Sequence, residues 1–289
     1  MNELKSKLYL VATPIGNLDD MTFRAVQTLK EVDFIAAEDT RHTRKLLSHF
    51  DIHTPLIRYD ENNKNLVGGK IIERINNGES AACVSDAGMP AISDPGADLV
   101  KLAIEANIKV VPVPGANAAL SALICSGLDT TKFTFVGFLP KTNKKCHETL
   151  EKLKFIEETL IFYESPHHLT ATLKNLLNVL GSRKAVIARE LTKIHEEFIR
   201  DNLKSLVDKF DEIEVRGEFV IVVEGNANLD DSEEVISNNQ STSEKISLVY
   251  NEFVNIGLDK KSAMRETAKK LNIGRREVYN TILKFNVTV

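Results

Sequence analysis

Four short, mainly apolar runs recur in the first half of the chain, at residues 8–12, 34–37, 81–84 and 109–113. Each gives way to a polar or Gly/Pro-rich turn and then to a helical pattern. The first run barely alternates apolar with polar side chains, which marks a strand buried on both faces, and 34–37 reads as a second short buried strand. Strands of that kind, separated by helices, lie parallel in one sheet with helices on either side. The spacing predicts helices over 21–31, 44–50, 66–75, 97–106 and 118–125. Residues 51–64 read as polar and irregular, and a strand at 133–136 is expected to close the series.

Gly137-Phe138-Leu139-Pro140 breaks this rhythm, so a first α/β domain is expected over 1–137 and a second over 141–226. The second has predicted helices at 144–156, 169–179 and 203–210 and strands at 159–163, 184–189 and 219–223. An extended piece at 196–200 follows so closely on the 184–189 strand that the two suggest a hairpin, which makes this sheet mixed. Residues 227–243 are rich in Asn, Asp, Ser and Glu and read as an acidic flexible linker. Residues 244–289 form a small helical domain with predicted helices at 244–255, 260–271 and 275–285. Ala268, Leu271, Gly274 and Val278 there follow helix-turn-helix spacing. The expected fold class is α/β: two α/β domains and a C-terminal helical domain.

Composition narrows the function classes. No apolar run approaches the roughly 20 residues of a bilayer span, and residues 1–7 carry no long apolar stretch, so no signal peptide is expected. Cys83, Cys125 and Cys146 are odd in number, far apart and form no Cys-x-x-Cys. Neither a disulfide framework nor a zinc site is expected, and the reducing cytoplasm is the natural compartment. A net charge of −4 gives no global attraction for nucleic acid, so any nucleic-acid contact must come from a local basic surface. Lys141, Lys144 and Lys145 at the domain junction are candidates for phosphate contacts. So is the tail from 244, with nine Lys/Arg against five Asp/Glu, among them Lys260, Lys261, Lys269, Lys270, Arg275 and Arg276.

The remaining polar residues concentrate at strand ends. Thr13 to Asn17, Glu38 to Arg41, Ser85 to Asp94 and Ala116-Asn117 all follow first-domain strands. Parallel strands bring those ends to one edge, where open α/β sheets bind ligands. The longest turn, 85–96, holds two Asp, two Ser, two Gly and two Pro, more conformational specialists than a plain connection needs. No dinucleotide fingerprint, phosphate-binding P-loop or nucleophile elbow is present. The histidines near carboxylates (His42, His167, His168, His195) lack metal-ligand spacing, so no metal is expected.

In this order, four motifs resemble the tetrapyrrole-methylase fold family of S-adenosylmethionine enzymes. They are Val11-Ala12-Thr13-Pro14-Ile15-Gly16-Asn17-Leu18, Ala37-Glu38-Asp39-Thr40-Arg41, the Val84 to Gly96 stretch (Val-Ser-Asp-Ala-Gly-Met-Pro-Ala-Ile-Ser-Asp-Pro-Gly) and Gly137-Phe138-Leu139-Pro140. The likeness covers the whole chain. One departure is Pro114-Gly115-Ala116-Asn117, where relatives often have Pro-Gly-Pro-Ser. The resemblance implies S-adenosylmethionine in a cleft between the two α/β domains. Asp86, Met89, Ala91 and Ile92 of the long loop would contact it, with Ile15, Ala116 and Asn117. Tyr163, Ala188 and Glu218 would complete the pocket from the second domain.

Within that family the motifs resemble the branch that modifies ribosomal RNA. This implies methylation of the ribose 2′-hydroxyl of a cytidine in the decoding region of 16S rRNA, a homodimer, and the 30S particle as substrate. In-line methyl transfer needs the hydroxyl held in place and its proton removed. Glu38 or Asp39 is the expected base, and Arg41 the group that holds a phosphate or polarises the hydroxyl. Asp39 equally suits an N-cap, and the alternative for Arg41 is plain decoration of that helix. Two other readings stand beside this one: methylation of a tetrapyrrole precursor, and a non-catalytic RNA-binding ribosome-assembly factor.

Overall fold

The computed structural model describes residues 6–211, 216–226, 242–255, 258–271, 273–275, 278–279 and 281–282. Residues 227–241 of the expected linker, Arg276 and most of the 275–285 segment lie outside the described residues. The chain divides into two compact units, Met1–Asn226 and Ala227–Val289.

In the first unit the described strands form two five-stranded sheets. The first comprises β1 (Lys7–Val11), β2 (Phe34–Ala37), β3 (Leu56–Arg58), β4 (Ala81–Val84) and β5 (Lys109–Val113), in the order β3-β2-β4-β1-β5 and wholly parallel. All four residues of β2 and of β4 are buried, as their unbroken apolar runs require. Their side chains divide between two layers. Ile35, Ala37, Ala82 and Val84 pack with α1 (Phe23–Glu31) and α2 (Thr40–His49). Phe34, Ala36, Ala81 and Cys83 pack with α3 (Lys64–Asn76) and α4 (Gly96–Glu105) on the opposite face. Thr22 and Asp39 start α1 and α2 by accepting backbone N–H bonds with their side chains.

The second sheet comprises β6 (Phe133–Phe138), β7 (Thr159–Glu164), β8 (Lys184–Arg189), β9 (Glu197–Asn202) and β10 (Phe219–Val223), in the order β6-β7-β10-β8-β9. Only β6 and β7 pair in parallel, and β8–β9 is the expected hairpin, so the sheet is mixed. One face carries α6 (Asn143–Leu153), α7 (Leu169–Leu180) and α8 (Leu203–Asp211) over Leu160, Phe162, Ile187 and Ile221. The other face meets α5 (Ala118–Ile124), whose Ala119, Ala122 and Leu123 pack on Ile161, Val186 and Val220.

Three expectations are corrected here. The strand at 133–138 does not close the first sheet; it pairs with β7 at the edge of the second. Likewise α5 follows a first-sheet strand but buries its apolar face on the second sheet. The chain therefore crosses between sheets at Pro114–Asn117, before the point its sequence rhythm suggests. Residues 51–64 are not wholly irregular either, because Leu56–Arg58 adds β3 at the edge beside β2. Its three residues are too few to show a period.

The second unit contains α9 (Thr242–Asn255) and α10 (Lys260–Lys270), and Arg275, Val278, Tyr279, Thr281 and Ile282 are also helical. Ile246, Tyr250, Ala263, Ala268, Val278 and Ile282 form its core. Asp259 caps α10 by accepting the Lys261 and Ser262 N–H bonds at 3.0 and 3.2 Å.

Candidate active site

The carboxyl ends of β1, β2, β4 and β5 share one edge of the first sheet, and the loops leaving them are bonded to one another. Thr13 and Gly88 exchange backbone hydrogen bonds at 2.9 and 3.0 Å, and Thr13 Oγ1 donates to the Ser85 carbonyl at 3.3 Å. Gly88 sits at φ +78°, a conformation that costs glycine little. The Asp39 N–H donates to Asp86 Oδ1 at 3.1 Å, tying the β2 turn to the long loop. Asp94 Oδ1 accepts the N–H bonds of Ala91 and Gly96 at 2.9 and 2.7 Å. That clamp holds Ala91 and Ser93 at left-handed φ of 69° and 67°. Each costs roughly 1–2 kcal/mol, and strain of this kind gathers at ligand loops.

These loops and the second sheet enclose a cavity of about 540 Å³, the size of a small-molecule site. Of the residues nominated by sequence, Ile15, Glu38, Asp86, Met89, Ile92, Asn117, Tyr163 and Glu218 line it. Five others do not. Ala91 is part of the loop's internal clamp, and Ala116 presents its carbonyl toward Gly88. Ala188 is fully buried in the layer between the second sheet and α5. Asp39 caps α2, its Oδ1 accepting the Arg41 N–H at 2.8 Å. Arg41 lies at the surface, with 86% of its side chain exposed.

The cavity also draws on Asp94, which ends the expected 85–94 turn, and on residues that sequence reasoning missed. Asp94 lines it, with Oδ2 buried and without a hydrogen-bond partner among the described residues. Glu164, Ser165 and Pro166 line it from the end of β7. The strand-end rule that selected the first-domain turns could have found them. Phe138 and Leu191 are apolar and gave no signal. Tyr163 stacks edge-on against Phe138 with centroids 5.7 Å apart. Its hydroxyl accepts the Ala119 N–H at 3.3 Å, joining the second sheet to the start of α5.

Five carboxylates face this space (Glu38, Asp86, Asp94, Glu164 and Glu218), and among the described residues no Lys or Arg lines it. Burial, and then the charges of Asp86, Asp94, Asp60 and Glu61, hold the Glu38 carboxyl above the ordinary range. The Asp39 carboxyl lies below it, chiefly because it accepts the Arg41 N–H. Glu164 is fixed by Ser165 N–H at 2.8 Å and the Thr172 hydroxyl at 2.6 Å. Anionic groups on largely apolar walls suit a ligand that is cationic at one point and apolar elsewhere. Among the described residues no cluster of three His, Cys, Asp or Glu side chains is placed to hold a metal ion.

The other nominated cations lie elsewhere. Lys141, Lys144 and Lys145 are exposed around the start of α6. In the second unit, Lys269, Arg275 and Arg265 line one open hollow. Lys260 is exposed at the start of α10, and Lys270 lies 5.6 Å over the Phe253 ring.

Comparison with known proteins adds three findings. Residues 7–207 match the family of tetrapyrrole (corrin/porphyrin) methylases. The chain is 50% identical over 276 residues to the ribosomal RNA small subunit methyltransferase I of Halalkalibacterium halodurans, spanning 96% of this chain and 94% of that protein. It is 48% identical over 274 residues to the protein of that name from Bacillus subtilis, spanning 94% and 92%. Among solved structures, a cobalt precorrin-4 methyltransferase of cobalamin biosynthesis superposes with a TM-score of 0.57 at 19% identity, over 76% of this chain and 95% of that one. The uroporphyrin-III C-methyltransferase of Thermus thermophilus, complexed with S-adenosyl homocysteine, gives 0.55 at 18%, over 75% and 97%. At those identities the structural likeness shows the fold alone.

Proposed function

The chain belongs to the tetrapyrrole methylase family, and within it to the ribosomal RNA small subunit methyltransferase I group. On that premise we propose that it methylates the ribose 2′-hydroxyl of a cytidine in the decoding region of 16S rRNA, using S-adenosylmethionine. The observation that carries the reading is the fit of the cavity. It combines five carboxylates, no cation among the described residues and apolar walls, which suits a sulfonium attached to a nucleoside. Bound there, S-adenosylmethionine supplies an electrophilic methyl carbon. Ile15, Asp86, Met89, Ile92, Asn117, Tyr163 and Glu218 hold it, and Phe138 and Leu191 help keep water out.

Glu38 is the general base in this reading. It is half-buried on the cavity wall, and its raised pKa brings it closer to neutrality, where proton transfer is most effective. Asp39 positions Glu38 by fixing the start of α2, and Arg41, exposed and paired with Asp39 at 3.5 Å, meets an RNA phosphate by exchanging that partner. Lys141, Lys144, Lys145 and the cations of the second unit add salt-dependent affinity. Homodimer formation, the assembled 30S particle as acceptor and a cytoplasmic location belong to the same proposal and rest on the family.

The fold neighbours favour one other acceptor, a tetrapyrrole. Incubation with labelled S-adenosylmethionine and 30S subunits, protein-free 16S rRNA or a tetrapyrrole distinguishes them. Label in an alkali-resistant dinucleotide of 16S rRNA is expected. Label only in the tetrapyrrole overturns the acceptor, and no cofactor binding by calorimetry overturns the enzyme itself.

A further inference from the structure

A second cavity, of about 390 Å³, adjoins the first and shares Ile15, Asp86, Ala87 and Glu218 with it. The two differ in charge. The first has five carboxylates and no Lys or Arg among the described residues, so it repels a polyanion. The second adds His42, Lys45 and Lys193. Lys193 is already held by Glu190 and Glu218, each at 2.9 Å, which leaves it little free charge. His42 and Lys45 stand three residues apart on α2 and face the same way. Both are exposed, and among the described residues neither makes an ion pair. The helix also carries Arg44 and holds no Asp or Glu; Arg41 is paired with the capping Asp39 at 3.5 Å. Leu18 and Leu46 add apolar surface to the same cavity.

We propose that the second cavity is where the acceptor RNA enters, with Lys45 and His42 binding the phosphodiester beside the target ribose and Leu18 and Leu46 supporting the sugar or base. This rests on the ribose-methylation reading. The shared wall brings a ribose bound in the second cavity next to the ligand of the first. The phosphate stays on the cationic side, away from the carboxylates. The strand is thus oriented by charge before any base is read.

The test is the salt dependence of binding to immobilised 30S subunits between about 50 and 200 mM salt, together with methylation kinetics. Lys45→Ala and His42→Ala are expected to raise KM for 30S subunits about tenfold. Lys45→Ala is expected to reduce the slope of log affinity against log salt by about one, and Lys45→Arg to restore most of the loss. Cofactor affinity by calorimetry should stay at the wild-type value, since both residues line only the second cavity. Wild-type KM and salt slope in Lys45→Ala and His42→Ala, from an enzyme that methylates RNA, overturn the entry site alone. Lys45-dependent binding by a protein that transfers no methyl group to RNA overturns the functional reading and leaves the binding site standing.

Discussion

The Asp39 backbone N–H donates to the Asp86 carboxylate across 3.1 Å, joining turns 47 residues apart in sequence. That bond fixes the residue after Glu38 to the loop that lines the cavity. It also keeps the Asp86 charge near Glu38, where it is the largest influence on the Glu38 pKa after burial.

Asp86→Asn therefore separates tether from charge. The amide oxygen still accepts the Asp39 N–H, but the negative charge is gone. With less repulsion, the Glu38 pKa falls, and the acid limb of kcat/KM is expected to move to lower pH. Cofactor affinity should weaken about tenfold from the lost charge interaction. An acid limb at the wild-type position would show that Asp86 does not act on the titrating base.

Glu38→Gln gives the converse test. The carboxyl is raised, so its proton is held more tightly folded than unfolded. The folding stability it contributes is present below the unfolded pKa and is lost as pH rises through the folded pKa. Removing the charge is expected to raise Tm near neutral pH and to leave it unchanged in acid. Methyl transfer should fall by about 10² or more. A variant with lower Tm at neutral pH and parallel losses in folding and activity would mark Glu38 as structural.

Much of this site was legible because parallel strands place their ends together. The turns that hold Ile15, Glu38, Asp86 and Asn117 follow from that rule applied to apolar runs, and the resemblance singled out Ile15, Asp86 and Asn117 within them. What escaped the sequence depended on the crossing between sheets. The α5 helix follows a first-sheet strand yet packs on the second sheet, and β6 joins β7; neither choice leaves a mark in local periodicity. Phe138 lines the cavity because β6 pairs with β7. Asp39 shows the limit of motif reading. It stands beside Glu38 in sequence, but its side chain is committed to the α2 cap.

Tyr163 ties the second sheet to the start of α5 through its hydroxyl and the Ala119 N–H, 3.3 Å apart. Tyr163→Phe keeps the ring and its contacts with Phe135 and Phe138 but leaves that N–H without its acceptor. A loss of about 1 kcal/mol in chemical denaturation is expected, with a weaker cofactor affinity by calorimetry. Equal affinity in both proteins would mean that the bridge holds the fold and not the pocket.

Gly16 in the first turn lies against the turn of the β8–β9 hairpin. A Cβ there would lie 2.5 Å from Lys193 Cγ, 2.9 Å from Thr192 Oγ1 and 3.1 Å from the Leu191 carbonyl. The lysine is held by Glu190 and Glu218, and the other two belong to a turn already committed. Thr192 is at φ +67°, and its N–H is bound to Glu196 Oε2 at 2.6 Å. Gly16→Ala must therefore displace the turn, moving Leu191 in the first cavity and Lys193 in the second. A cost of about 1–3 kcal/mol is expected from overpacking, with weakened binding of both cofactor and RNA. Gly69 is the control: it is exposed on α3, and nothing lies within 4 Å of its Cβ position. Gly69→Ala should raise stability by about 0.5–1 kcal/mol through helix propensity and leave both affinities alone. Wild-type affinities in Gly16→Ala would show that the turn yields without disturbing either cavity, and would remove Leu191 and Lys193 from the site.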